Sequence, residues 1–180
     1  FVFMGTIYAT TGIVGGLFRG AEKLLGNIPG SLASAMIVAN AIFGAISGSS
    51  LAAAATFGRI CFPEMEKAGY DPKMSLGAIA ISGTLSVLIP PSLIMIVYGG
   101  WQDVSVARLF AGGIIPGILL TVFFIVTVTV LVLLDPTLAP KTATRKYTLK
   151  EKAAALGDIF PFLAVITLVL GTTFSGIMTP

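Results

Sequence analysis

The chain has 180 residues, of which 56% are hydrophobic and only 11% are charged. Because soluble domains usually carry about 25% charged residues, this composition excludes a soluble globular protein and indicates an integral membrane protein. A single cysteine and no histidine exclude a disulfide framework, a Cys/His metal site and a Ser-His or Cys-His catalytic pair formed by this chain alone, so no enzyme is expected.

The charged residues are clustered, and they leave five uncharged apolar segments near or above the roughly 17–25 residues that cross a bilayer as a helix. In chain order these are residues 1–18, 24–58, 74–102, 109–134 and 159–180. The first lacks the basic start and cleavage site of a signal peptide, so it is predicted to be a transmembrane helix, and the chain is expected to be a fragment. The net charge of +3 is explained by membrane topology, and no nucleic-acid partner is expected.

The second segment is interrupted by Ser47, Gly48, Ser49 and Ser50. Residues 51–58, which follow this break, form only about 12 Å of helix at about 1.5 Å per residue, too short for a hydrocarbon core of about 30 Å. If the segment nevertheless spans, the basic residues divide 3 to 8 across the membrane, whereas a segment that returns to its own side gives 10 to 1. The positive-inside rule therefore predicts a re-entrant helical hairpin with cytoplasmic basic loops.

The hydroxyl groups at the hairpin tip have two interpretations. They can cap the two helices, since serine is a favoured N-cap and glycine a favoured terminator. Capping does not explain why a turn is placed at mid-membrane, where each unpaired polar group costs several kcal/mol. A sodium ion bound by serine hydroxyls and loop carbonyls would use these groups.

The third segment is interrupted by Pro90 and Pro91. Prolines have no amide hydrogen, so the carbonyls of Ser86 and Val87 would lack their helical donors and become available to a hard cation. Further backbone and hydroxyl oxygens precede the break, and the helix that restarts after it has a positive N-terminus suited to an anion. The alternative is a kinked helix whose carbonyls are satisfied by neighbouring serine or threonine.

Four motifs carry a family resemblance. They are "GSLASAMIVANAIFGAISGSSLAAAATFG", "PEMEKAGYDP", "GAIAISGTLSVLIPPSLIMIVYG" and "LFAGGIIPG". In this order and spacing they resemble the N-terminal half of the large membrane (M) subunit, DctM-like, of TRAP transporters, the tripartite ATP-independent periplasmic systems. The closing "GTTFSGIMTP" is similar to the segment that opens the second half of that subunit.

The resemblance implies an all-α, multi-pass elevator-type transporter built from inverted repeats in a bacterial or archaeal inner membrane. A sodium gradient would drive import of an organic acid anion, such as a C4-dicarboxylate, delivered by a periplasmic substrate-binding protein. A small membrane subunit (Q) would be the other partner besides lipid, and Na⁺ the coupling ion, with no other cofactor.

The resemblance also places one sodium site between the hairpin tip and the broken helix, beside the substrate cavity. The residues assigned to sodium are Ser47, Ser49, Ser50, Gly83, Ser86 and Val87, and those assigned to the cavity are Gly48, Thr84, Pro90, Pro91 and Ser92. The predicted division is a scaffold transmembrane helix with a cytoplasmic connection (1–27), the re-entrant hairpin (28–63), the broken transmembrane helix of the transport domain (64–108), a transmembrane helix (109–134), a basic cytoplasmic loop (135–158) with a short amphipathic helix near 149–156, and a transmembrane helix leading to the second repeat (159–180).

Two other functions are compatible with these residues. One is a carrier of the divalent-anion/sodium symporter type, which works without a binding protein. The other is a structural membrane subunit with no transport site.

Overall fold

The structure is a computed structural model that describes residues 4, 5, 7, 8, 11–26, 28–140 and 147–177. Within these ranges the chain is helical and has no β-strand, which confirms the predicted all-α class. Eight helices have both ends inside the described ranges: α1 (Ile13–Leu25), α2 (Ser31–Ser47), α3 (Ser50–Lys67), α4 (Pro72–Gly83), α5 (Leu85–Leu88), α6 (Leu93–Trp101), α7 (Val106–Leu134) and α8 (Leu149–Phe174).

Helices α2 and α3 form a hairpin that turns at Gly48. This residue has a left-handed φ of 62°, which glycine adopts without a steric penalty. Ser49 then caps α3, since its side chain accepts a hydrogen bond from the amide of Ala52 at 3.4 Å. At the other end, the hydroxyl of Tyr70 accepts a hydrogen bond from the amide of Leu32 at 3.3 Å. The end of α3 thus returns to the start of α2, and the position of this hairpin in a bilayer stays a prediction.

The apolar stretch 72–101 is not one continuous helix. It starts where Asp71 accepts hydrogen bonds at 2.9 Å from two backbone amides in the first turn of α4. After α4 and the short helix α5, residues 89–92 are not helical, and α6 follows. Because Pro90 and Pro91 cannot donate the hydrogen bonds that would continue α5, the interruption falls where the sequence predicts it.

Three stretches of the described chain are long and apolar enough to cross a membrane, namely residues 72–101, 106–134 and 150–174. Helix α2 is also apolar, but it has only 17 residues. The predicted first span, residues 1–18, lies partly outside the described residues.

Helix α8 begins at Leu149, within the segment that the charge pattern assigned to a loop. Thr148 and Glu151 explain this start, because they form a capping box: the amide of Glu151 donates to the Thr148 hydroxyl at 3.3 Å, and the Thr148 amide donates to the Glu151 carboxylate at 2.8 Å. The expected helix near 149–156 is present, but it does not end there, because these residues form the first turns of α8. Residues 141–146 of the basic loop lie outside the described part of the chain.

Helix α2 lies at the centre of the fold, in contact with α1, α3, α4, α5, α7 and α8. Every residue of α2 except Val38 and Ile42 is buried. Many of them are alanines, whose small side chains let neighbouring helices approach closely. Phe43 packs edge-on against Phe57 of α3, with 5.7 Å between the ring centroids. The first arm of the hairpin is thus enclosed by the surrounding helices, whereas only four residues of α3 are buried.

Helix α7 approaches the end of α5 at two glycines. A Cβ atom on Gly113 would lie 2.7 Å from the carbonyl oxygen of Leu88, and one on Gly117 would lie 2.6 Å from Cγ1 of Ile89. Real side chains do not tolerate such short distances, so both positions require glycine for α7 to hold the interrupted helix in this place.

Candidate functional site: where the hairpin tip meets the broken helix

The two interruptions predicted from the sequence lie against each other. A Cβ atom on Gly48 would be 3.0 Å from the amide nitrogen of Leu93 and 3.7 Å from the carbonyl oxygen of Pro91. At the start of the second arm, the carbonyl oxygen of Ser50 would be 3.2 Å from a Cβ atom on Gly83. The fold therefore brings the tip of the hairpin to the break before α6, and the start of α3 to the end of α4.

Three serines of this region are fully buried. The hydroxyl oxygens of Ser47, Ser86 and Ser92 have no hydrogen-bond partner among the described residues. Buried polar groups are nearly always paired, because leaving one unpaired costs about 1–3 kcal/mol. Three such groups on two touching segments indicate that they are satisfied by a group that is not among the described residues.

The other two serines of the tip have different surroundings. The hydroxyl of Ser49 caps α3, as described above, and both Ser49 and Ser50 are only half-buried. Ser50 contributes its carbonyl to the contact with Gly83. Capping thus accounts for one hydroxyl of the tip, but not for that of Ser47.

The carbonyls freed by the prolines are also in place. The amide of Ile89 donates to the carbonyl of Leu85 at 2.8 Å, which ends α5. The next two amides in sequence belong to prolines, so Ser86 and Val87 have no helical donor, and within the described chain their carbonyls receive no hydrogen bond from another segment. Thr84 differs, since it is exposed and its hydroxyl donates to the carbonyl of Ile81 at 2.6 Å.

The donor set is therefore made of neutral oxygens. No group of three or more His, Cys, Asp or Glu side chains that could hold a metal occurs in the part of the chain that the structure describes. Hydroxyl and carbonyl oxygens suit hard cations, and carbonyls of unwound helices are typical ligands of coupling ions in secondary transporters. Next to them, α6 begins after Ser92 without a side-chain cap, and helix N-termini favour anions.

Comparison with known proteins assigns the chain to a family. The sequence model described as "Tripartite ATP-independent periplasmic transporter, DctM component" matches residues 1–180. This chain belongs to the DctM family of TRAP transporters.

Several DctM-family relatives match the whole chain. The C4-dicarboxylate TRAP transporter large permease protein DctM is 33% identical in Pseudomonas aeruginosa, where the match covers 41% of the relative. The protein of the same name in Vibrio cholerae is 35% identical, with 39% covered. The sialic acid TRAP transporter permease protein SiaT of Haemophilus influenzae is 32% identical, with 29% covered. The chain thus spans less than half the length of these relatives.

One residue of this DctM-family chain was missed by sequence reasoning. Asn40 is fully buried in α2, and its Nδ2 donates to the hydroxyl of Ser82 in α4 at 2.7 Å, while its Oδ1 has no partner among the described residues. The available signal was an amide side chain within an uncharged apolar segment, where polar groups are expensive.

Proposed function

We propose that this chain is part of the membrane permease of a sodium-coupled secondary transporter, and that Na⁺ binds where the hairpin tip meets the broken helix. The observation that carries this proposal is that the hydroxyls of Ser47, Ser86 and Ser92 are buried without a partner among the described residues, on two segments that touch at the proline break. A dehydrated cation would satisfy these oxygens together, which would remove the cost of burying them singly.

The neutral character of these oxygens favours a monovalent ion. A divalent ion is usually held by carboxylates, and the interrupted segments 47–50 and 83–92 contain none. Serine hydroxyls and main-chain carbonyls leave the single charge of Na⁺ uncompensated by the protein. An organic anion at the adjacent N-terminus of α6 would balance that charge, and this pairing gives a physical reason for coupling.

Membership in the DctM family supports the nature of the substrate and partners. Relatives are named for C4-dicarboxylates, sialic acid and isethionate, all of which are organic acid anions. We infer that this permease also imports an organic acid anion across the inner membrane. We infer further that it receives the substrate from a periplasmic binding protein and works with a small membrane subunit, and one relative carries the name DctMQ.

The two alternatives predict other behaviour. A carrier of the divalent-anion/sodium symporter type would transport without a binding protein, and the tripartite family description favours dependence on one. A structural subunit would give no role to the three buried hydroxyls, which have no partner among the described residues.

Uptake by the full-length permease in proteoliposomes, with its small subunit and binding protein, tests the proposal. Ser47→Ala and Ser86→Ala should each raise the sodium concentration for half-maximal uptake by about tenfold, the effect of losing one charge-assisted contact. Thr127→Val is the matched control, because this exposed hydroxyl bonds only the carbonyl of Phe123 at 2.7 Å on the same helix. Uptake without sodium dependence would refute sodium coupling, and uptake unaffected by omission of the binding protein would favour the symporter-type alternative.

A further inference from the structure

A line of polar or small residues continues from the hairpin tip along the first arm. On α2, Asn40, Gly44 and Ser47 follow at i, i+4 and i+7, so they lie on one face of the helix. Two serines of the broken helix face them: Ser82 bonds Asn40, and Ser86 lies against Gly44. We call these five residues the polar seam.

At the end of the polar seam farther from the hairpin tip, a hydrogen bond attaches α2 to α4. The side chain of Asn40 donates to the Ser82 hydroxyl at 2.7 Å. The one proton of that hydroxyl is directed at the carbonyl of Ile79 at 3.0 Å and the sulfur of Met36 at 3.3 Å. In the described chain, every side-chain hydrogen bond that joins the hairpin helices α2 and α3 to α4, α5 or α6 ends on Ser82. Asn40 and Ser82 are both fully buried.

The end of the polar seam at the hairpin tip needs an attachment that holds the two elements together. Helix α4 ends at Gly83, and α5, which carries Ser86, has only four residues. So short a helix has little stability of its own, and its place depends on packing. The Asn40–Ser82 bond lies one helical turn from the Gly44–Ser86 contact, so it fixes the register in which α2 meets α5.

We propose that Asn40 is a positioning residue for sodium binding, which acts through Ser82 to hold the hydroxyl and carbonyl of Ser86 opposite the hairpin. This inference rests on the proposed sodium site. Without the bond, the ion must itself bring the two elements into register. The apparent affinity then falls in proportion to the fraction of molecules already in the competent arrangement.

A double-mutant cycle on the full-length permease tests the inference. Asn40→Leu removes the amide at similar volume, and Ser82→Ala removes the acceptor. Each should raise the sodium concentration for half-maximal uptake by roughly two- to tenfold, the range expected for one buried hydrogen bond. The double variant should show no further increase, because both changes remove the same bond. The maximal uptake rate at saturating sodium should stay within about twofold of wild type.

Ser34→Ala is the matched control, since Ser34 is also buried in α2 with a hydroxyl that has no partner among the described residues. Its sodium curve should overlay that of the wild type. If the single variants insert poorly, the exchange variant Asn40→Ser with Ser82→Asn is measured instead, because it offers the same two groups in reverse. Its sodium affinity should be closer to that of the wild type than the affinity of either single variant.

The outcomes separate this inference from the proposed function. Wild-type uptake without sodium dependence would overturn both. Sodium-dependent wild-type uptake with unchanged curves for Asn40→Leu and Ser82→Ala would overturn only the role of Asn40. Multiplicative effects in the double variant, or a fall in maximal rate alone, would likewise contradict positioning through Ser82.

Discussion

The backbone of α2 at Gly44 lies directly against Ser86 of the broken helix. A Cβ atom on Gly44 would overlap the Ser86 hydroxyl and lie 2.8 Å from its Cα, so neither rotation of the serine nor a small shift would make room for it. This contact joins the first arm of the hairpin to the residue whose carbonyl the prolines release.

Gly44→Ala should therefore push the hairpin away from the broken helix. Overpacking of this kind typically costs about 1–3 kcal/mol of stability. We expect the variant to insert into the membrane but to lose sodium-dependent uptake. The control is Gly58→Ala in α3, where an added methyl group meets no atom within 4 Å and should leave uptake unchanged. Thermal unfolding in detergent and uptake in proteoliposomes measure the two effects, and normal uptake by Gly44→Ala would contradict the close packing.

Replacing both Pro90 and Pro91 with alanine should let α5 continue into α6. The restored amides would bond the carbonyls of Ser86 and Val87, so the sodium concentration for half-maximal uptake should rise while insertion continues. Pro116→Ala tests for a general effect of proline, because this exposed residue lies inside the uninterrupted helix α7. If the sodium dependence of the double variant is unchanged, the interruption is only a kink and has no role in sodium binding.

Tyr70 should make stability sensitive to high pH. Burial raises the pKa of its hydroxyl above the ordinary value of 10.0, and the bonds from Leu32 and Ser31 only partly oppose this. Because the folded protein keeps this proton at a pH where the unfolded chain loses it, the free energy of unfolding should fall as the pH rises from about 10 through the raised value.

Thermal unfolding at pH 8 to 11 measures this dependence, with Tyr70→Phe as the comparison. The variant should be less stable at pH 8 by about 1 kcal/mol, from the lost hydrogen bond to Leu32, and its curve should fall less steeply above pH 10. Parallel curves would show that Tyr70 does not titrate in this range.

A re-entrant hairpin requires that both of its ends lie on the same side of the membrane. Single cysteines introduced at Lys67 or Tyr147, in a Cys61→Ala background, should be labelled by a membrane-impermeant maleimide only from the cytoplasmic side, and one at Asp103 only from the periplasm. The hydroxyl of Tyr147 bonds Glu22 of α1 at 2.9 Å, and the loop after α3 is tied to the end of α7 by the bond from the Asp71 amide to the Leu138 carbonyl at 3.0 Å. Labelling at Lys67 from the periplasm would rule out a re-entrant hairpin.

Local chemistry explains why both interruptions were predictable. A proline pair removes amides wherever it stands, and a Ser-Gly-Ser-Ser turn ends one helix and starts another with its own side chains. Which serine caps and which is left without a partner depends on neighbours distant in sequence, so Ser47 and Ser49 could not be told apart. The bond between Asn40 and Ser82 could not be predicted from the sequence for the same reason, because the two residues lie 42 positions apart. The helix near 149–156 was predicted, but its continuation into the last apolar segment was not, because the charged residues up to Asp158 were taken to separate a loop from a span.

The glycine pair on α7 bears on which parts of the permease move together. Gly113 lies against the carbonyl of Leu88 and the side chain of Met95, and Gly117 lies against the side chain of Ile89. The two glycines thus form a shallow notch that receives the end of α5. Since close-packed surfaces shift as units rather than deform, a displacement that separates α5 from α7 would have to open this notch and leave a void. If the proposed sodium site moves during transport, α7 is therefore expected to move with it as part of one rigid body.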